Sequence, residues 1–286
     1  MDMLALLKKR NISVRAGRLR VAFAVLLLMV MCLTSSCVGR HETYFIVAGS
    51  TSVQPYMEIL AEEYMRIHPD KAIDIQGGGS SAGITAAESE TAQLGMSSRN
   101  LKEAEQHLWS VEIAKDGLAI IVNPRNPVHD LTIEQLRAIY AGDIISWSEF
   151  GGADARIHVI TREEGSGTRS AFESLVMGES RITPKAIVQN SNGAVRQLIA
   201  DDPNAIGFIS LGLVDSTVKA LYLDGIKPSR ENVINGSYSL YRPFLFVCNG
   251  EPTGLTKQFI DFVLSPEGQQ ILVHEGLIPA TEGTKE

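Results

Sequence analysis

Four short stretches of Gly, Ser and Thr carry the chemistry open to this sequence: Gly49-Ser50-Thr51-Ser52, Gly77 to Gly83 (GGGSSAG), Ser97-Ser98-Arg99, and Gly165-Ser166-Gly167-Thr168-Arg169. Each follows a strand-like run and precedes a helical pattern or its start. That position exposes unpaired backbone N–H groups and the positive end of a helix dipole, both suited to an anion. Hydroxyls add neutral donors, and glycines let the backbone come close. One such loop is ordinarily a helix cap. Four in one chain, two of them beside an arginine, point to a tetrahedral oxyanion. Arg162 is the charged anchor of choice, because guanidinium donates in a planar fork; its other reading is a surface ion pair with Glu163 or Glu164. Arg169, inside the following helical pattern, ranks below it. Asp116, in Lys115-Asp116-Gly117, would repel an anion that has no proton to donate. Phosphate at neutral pH has one and sulfate has none, so a buried acceptor discriminates between them: leaving it unpaired costs about 1–3 kcal/mol. The same Asp-Gly pair also reads as a turn.

Gly79-Ser80-Ser81-Ala82-Gly83 matches the G-x-S-x-G nucleophile elbow, which makes a secreted serine hydrolase using Ser81 the rival from another class. Nothing in the sequence picks its base from His107, His129, His158 and His274, and glycine flanks suit an anion cradle equally well. The chain has no P-loop lysine motif, no H-E-x-x-H and no paired cysteines, so neither a metal nor a cofactor is expected.

The elements that must position these loops alternate in a βαβ rhythm. Tyr44–Ala48 reads as a strand, Met57–Ile67 as an amphipathic helix, Ile73–Gln76 as a strand, Ile84–Thr91 as a helix and Gln93–Met96 as a strand. Gly117–Asn123 (GLAIIVN) is a buried strand. Beyond it come a helix from about 131 to 142, a strand at Arg156–Thr161, helices at Ala171–Val176 and Gly193–Ala200, and a strand at Ala205–Ser210. The chain closes with a strand at Pro243–Cys248 and a helical tail, Thr256–Glu275, interrupted at Ser265-Pro266. Two α/β lobes joined by the strands near 117–123 and 243–248 are the expected architecture.

Of 286 residues, 44% are hydrophobic and 21% charged, which excludes wholesale disorder. Within residues 1–36, six basic residues face Asp2 alone, so the net charge of −7 leaves −12 on the rest. An acidic body argues against nucleic acid as a partner and requires any anion to be held by local chemistry. The basic stretch runs into thirteen uncharged, mostly apolar residues, Val21–Leu33, too short to span a bilayer comfortably and typical of a signal-peptide core. Thr34-Ser35-Ser36-Cys37 follows and resembles a bacterial lipoprotein signal, with cleavage before Cys37 and lipid on its thiol. Thr34 stands where such signals prefer Leu, which puts anchoring, rather than export, in question. Of three cysteines, Cys248 is left without a partner and reads as a small buried hydrophobe.

Taken in order, AGSTSVQP (48–55), IQGGGSSAG (75–83), LGMSSRNL (94–101), KDGLAIIVNP (115–124), LTIEQLRAIYAGDIISWSEFGG (131–152), TREEGSGTR (161–169), NAIGFISLG (204–212) and YRPFLFV (241–247) resemble the phosphate-binding proteins of bacterial ABC phosphate importers. The resemblance implies a type II periplasmic-binding fold, with phosphate clamped between two α/β lobes on a two-strand hinge. By this likeness residues 1–36 are a signal peptide and 37–43 a tether. Residues 44–120 and 246–286 form lobe 1, and 121–245 form lobe 2. Carried over by position, Ser50, Thr51, Ser52 and Ser80 bind phosphate from lobe 1, and Arg162, Ser166, Gly167 and Thr168 bind it from lobe 2. Relatives with a different third loop place a proton-accepting aspartate where this chain has Ser98. Either Asp116 takes that role, or discrimination against sulfate is weaker. The implied partners are inorganic phosphate, permease and ATPase subunits, and the membrane through lipid at Cys37, with the chain a monomer. Sulfate and molybdate remain the rival ligands.

Overall fold

The computed structural model describes residues 43–280; the expected signal peptide, the expected tether as far as residue 42, and Cys37 lie outside them. Among the described residues twelve strands occur in the order β1 Thr43–Gly49, β2 Lys71–Gly77, β3 Leu94–Ser97, β4 Trp109–Val122, β5 Asp130–Leu131, β6 His158–Arg162, β7 Ile187–Gln189, β8 Ala205–Ser210, β9 Lys219–Ala220, β10 Tyr222–Leu223, β11 Tyr241–Cys248 and β12 Ile278–Pro279. The main sheet runs β2-β1-β3-β11-β4-β8-β6-β7. β1 lies parallel to β2 and β3, and β6 parallel to β7 and β8. Between these parallel halves run β4 and β11, antiparallel to each other from Tyr241↔Gly117 to Cys248↔Trp109, with a bulge at Phe244/Leu245. The result is a curled mixed sheet whose two α/β lobes are joined by a pair of strands.

β4 explains the join. Its first half pairs with β11, and its second half, Leu118–Val122, pairs with β8. Side chains alternate along a strand. Leu118, Ile120 and Val122 therefore enter one core with Tyr140, Phe172 and Phe208, while Ala119 and Ile121 enter another with Ile160, Val195 and Ile199. Burial on both faces is why this stretch reads as an unbroken apolar run. A separate core holds Phe45, Val47 and Leu60 with Phe244, Phe246 and Phe259. Phe45 meets Phe259 edge-on, with ring centroids 5.8 Å apart, and Phe172 stacks on Phe208 at 4.2 Å.

Several boundaries differ from the sequence expectation, each for a local reason. The strand expected at Gly117 begins at Trp109, because Glu112, Lys115 and Asp116 mask its first half. The strand expected at Pro243 begins at Tyr241. The second helix starts at Ser80, so the serines of its loop form the first helical turn. The tail is two helices, Gly254–Leu264 and Pro266–His274; Pro266 opens the second, and Ser265 caps it by accepting from Gly268 N at 3.2 Å.

Candidate functional site

Three strand ends of the first lobe deliver the hydroxyls. Ser50 follows β1, Ser80 opens the helix after β2, and Ser98 follows β3; all are buried. Gly49 permits the turn at φ +140°, and a Cβ there would strike Met96 O, so β1 and β3 can run this close only with glycine. Ser50 Oγ donates to Ser98 Oγ at 2.8 Å, Ser98 N donates to Ser80 Oγ at 3.0 Å, and the Ser80 and Ser98 hydroxyls are 3.3 Å apart. Facing them across the cleft is Gly167, where a Cβ would meet Ser98 Oγ at 2.5 Å. Ser166 caps the helix Gly167–Phe172 by accepting from Arg169 N at 3.3 Å. Ser81 N reaches across to Gly165 O at 3.0 Å.

Ser52 is a junction. Its Oγ accepts from Asn192 Nδ2 at 2.8 Å and from Arg242 Nη2 at 3.0 Å, and lies 2.7 Å from Thr168 Oγ1. A hydroxyl has two lone pairs and one proton. Both lone pairs are taken, so Ser52 donates to Thr168, and the Thr168 proton is left for another acceptor. The Asn192 amide orientation follows from its other bond, since its Oδ1 accepts from Ser210 N at 3.3 Å.

Arg162 ends β6 with only 1% of its surface exposed. Its Nε and Nη2 each donate to Glu163, at 2.9 Å, and Nη2 also crosses to Thr51 Oγ1 at 3.1 Å. The ion pair foreseen with Glu163 therefore exists, but the arginine end of it is buried, not on the surface. Arg162 Nη1 is buried with no hydrogen-bond partner. Arg169 pairs with Glu173 at 2.8 Å and supports the Arg162 carbonyl at 3.2 Å.

Asp116 departs from both of its sequence readings. It is neither a turn residue nor a free acceptor; it lies within β4, directly across from Arg242 on β11. Its Oδ2 accepts from Arg242 Nε at 3.2 Å and Nη2 at 3.0 Å, and its Oδ1 accepts from Ser210 Oγ at 2.7 Å. Burial pushes the Asp116 carboxyl up, while Arg242 and Ser210 pull it back down. Burial lowers the Arg242 guanidinium, opposed by Asp116, and nearby Arg162 lowers it further.

Arg242, Asn192 and Ser210 were absent from the sequence-derived candidates. Arg242 and Ser210 lie outside the four loops, and Asn192 follows the cap Ser191 at another strand–helix junction, Asn190-Ser191-Asn192-Gly193. The available signal was the alternation of YRPFLFV, which extends β11 back to Tyr241 and points Arg242 inward. Ser81 Oγ accepts from Arg99 Nη2 at 3.2 Å. His107, His158 and His274 make their ring contacts elsewhere, His129 shows no ring hydrogen bond, and the side-chain partner of Ser81 Oγ is Arg99, so no nucleophile–base pair is seen at Ser81 among the described residues. Cys248 is buried and its thiol is pushed up to about 12 by burial, in keeping with a hydrophobic role.

The donors left uncommitted include the Thr168 hydroxyl proton and Arg162 Nη1, and Arg242 Nη1 is likewise buried with no partner. Each carboxylate beside them, Asp116 and Glu163, is already engaged by an arginine. Such a surplus suits an anion with several acceptor oxygens and no need to donate.

Comparison with known proteins agrees with this chemistry. The model of the PBP superfamily domain matches residues 38–267. The phosphate-binding protein PstS of Bacillus subtilis is 34% identical over 82% of this chain and 80% of its own length. PstS of Borreliella burgdorferi is 30% identical over 89% of this chain and 98% of its own. Among solved structures, a phosphate ABC transporter substrate-binding protein from Clostridium perfringens with bound phosphate superposes with TM-score 0.81 at 44% identity, covering 84% of this chain and all (100%) of that one. An ABC-type phosphate transport receptor from Vibrio cholerae gives 0.70 at 42% identity, over 82% of this chain and 100% of that one. On its sequence, its curled two-lobed sheet and its donor-lined cleft, this chain belongs to the PstS phosphate-binding proteins of the PBP superfamily.

Proposed function

We propose that this chain captures inorganic phosphate outside the cytoplasmic membrane and delivers it to the permease and ATPase subunits of an ABC importer, without making or breaking a bond. The observation that carries the reading is Arg162: buried, reaching Thr51 in the opposite lobe, and keeping Nη1 unpartnered. The phosphate bound by the Clostridium perfringens relative supports it. In this reading Ser50, Thr51, Ser52, Ser80 and Ser98 line the anion site from the first lobe, and Arg162, Ser166, Gly167 and Thr168 line it from the second. Lobe 1 comprises residues 44–120 and 246–286, and lobe 2 residues 121–245. Contacts from both lobes coexist only when the cleft is shut, so ligand favours closure. Residues 1–36 direct export, Cys37 carries the lipid anchor, and the protein works as a monomer.

The test is uptake. Cells lacking the chain should lose high-affinity uptake of radiolabelled phosphate, regain it with the full-length chain, and fail to regain it with Arg162→Ala. Unchanged uptake in the deleted cells would overturn delivery.

Two further outcomes follow. With Asp116 and Glu163 both engaged, no free carboxylate in the cleft accepts the phosphate proton or repels sulfate. Sulfate is therefore expected to compete with phosphate, with a penalty below about 3 kcal/mol, the scale of one unpaired acceptor. Competition calorimetry reads this directly, and sulfate that fails to compete at a thousandfold excess contradicts it. A fluorophosphonate probe should leave Ser81 unlabelled. Stoichiometric labelling that disappears in Ser81→Ala would restore the hydrolase.

A further inference from the structure

We infer that Arg242 is a second anion-binding guanidinium, built into the hinge and aimed at the cleft by Asp116. The inference rests on the phosphate-binding reading and adds to it a residue, and a link between ligand and hinge, that the loop pattern does not contain.

Arg242 is 2% exposed and Asp116 1%. They are cross-strand partners on β11 and β4, the two strands that join the lobes. A buried ion pair between hinge strands is weak as a device for stability alone, because desolvating both charges offsets most of their attraction. Its geometry indicates a different use. Asp116 binds only the Nε and Nη2 side of the guanidinium, Nη2 continues to Ser52 Oγ at 3.0 Å, and Nη1 is buried with no partner. An unmade bond on a buried cation is costly, and a ligand oxygen at Nη1 removes the cost.

The placement agrees. Ser52 joins Arg242 to Thr168 and Asn192 of the second lobe, and the adjacent Thr51 receives Arg162. Arg162 is itself near enough to disfavour the charge on Arg242, and a dianion between two guanidinium groups relieves that repulsion. Each arginine is balanced by its own carboxylate, so the empty site carries little net charge and the ligand need not displace a counter-ion. Asp116 is thus a positioning residue, and Arg242 the contact.

The experiment uses the full-length chain, inorganic phosphate and calorimetry. The parent is titrated first; if it binds no phosphate, the phosphate reading fails rather than this inference. The informative variant is Arg242→Gln combined with Asp116→Asn, which removes both charges together and leaves no buried ion unpaired. Its affinity is expected to fall at least about tenfold, the scale of a charge-assisted hydrogen bond, while its unfolding midpoint without phosphate stays near the parent's. Arg242→Lys, which keeps the charge but loses the fork, should fall by a similar or smaller factor. Parental affinity in the double variant would reduce Arg242 to a structural role. Should the variants not fold, nitrogen-detected NMR of the parent decides the matter. Phosphate should shift the Arg242 Nη resonances and slow their rotation, and unchanged Arg242 signals at saturation would contradict the contact.

Discussion

Arg162→Ala is expected to weaken phosphate binding by about 2–5 kcal/mol, the range for truncating one partner of a buried, hydrogen-bonded charge pair. Three terms contribute. The anion loses the Nη1 donor, the cleft loses the bond to Thr51 that holds the lobes together, and Glu163 is left as an unpaired carboxylate beside the ligand. The last term repels the anion outright. Arg162→Lys keeps the charge but not the fork and should lose about 1–3 kcal/mol. Both variants should also unfold more readily without ligand, because Gln189 O and Asn190 O each lose a donor. Calorimetric titration and chemical denaturation separate the two effects. Parental affinity in both variants would move the anion away from β6.

Asp116→Ala carries the largest expected effect on stability, about 3–5 kcal/mol, because it leaves the Arg242 charge buried and uncompensated. Asp116→Asn should cost less, since an amide oxygen in the Oδ2 place can still accept from Arg242 while its NH2 group donates to Ser210 Oγ. Urea unfolding without phosphate measures both. A loss under about 0.5 kcal/mol in Asp116→Ala, the level of an ordinary surface substitution, would place the pair in solvent. Adding phosphate should narrow the deficit, since a ligand bound only by the folded state stabilises it by mass action.

What was legible in the sequence follows from what each residue reports about its neighbours. The loops at Ser50, Ser80, Ser98 and Gly167 stand out because four glycine and hydroxyl stretches recur at strand–helix junctions, where one alone is an ordinary helix cap. The apolar run Leu118–Val122 announced a strand buried on both faces. Asp116 and Arg242 were hidden for a shared reason. A charge inside a strand breaks the apolar pattern that marks it as buried, so the sequence pattern starts β4 only after Asp116, and β11 only after Arg242. Their pairing depends on register between strands more than a hundred residues apart in the chain, which composition does not encode. Ser210 is a single hydroxyl with no local pattern, whereas Asn192 stands in a Ser/Gly strand–helix junction outside the four loops that stand out in the sequence. The Arg162–Glu163 pair was foreseen as a contact, but its burial depends on Gln189, Asn190 and the opposite lobe closing over it.

The most direct test of the account is a calorimetric titration of inorganic phosphate into the full-length chain in phosphate-free buffer at neutral pH, repeated with Arg162→Ala. The account expects saturable one-to-one binding by the parent, with affinity reduced by about 2–5 kcal/mol in the variant. A parent that gives no saturable heat with phosphate, or a variant that binds as the parent does, would contradict it.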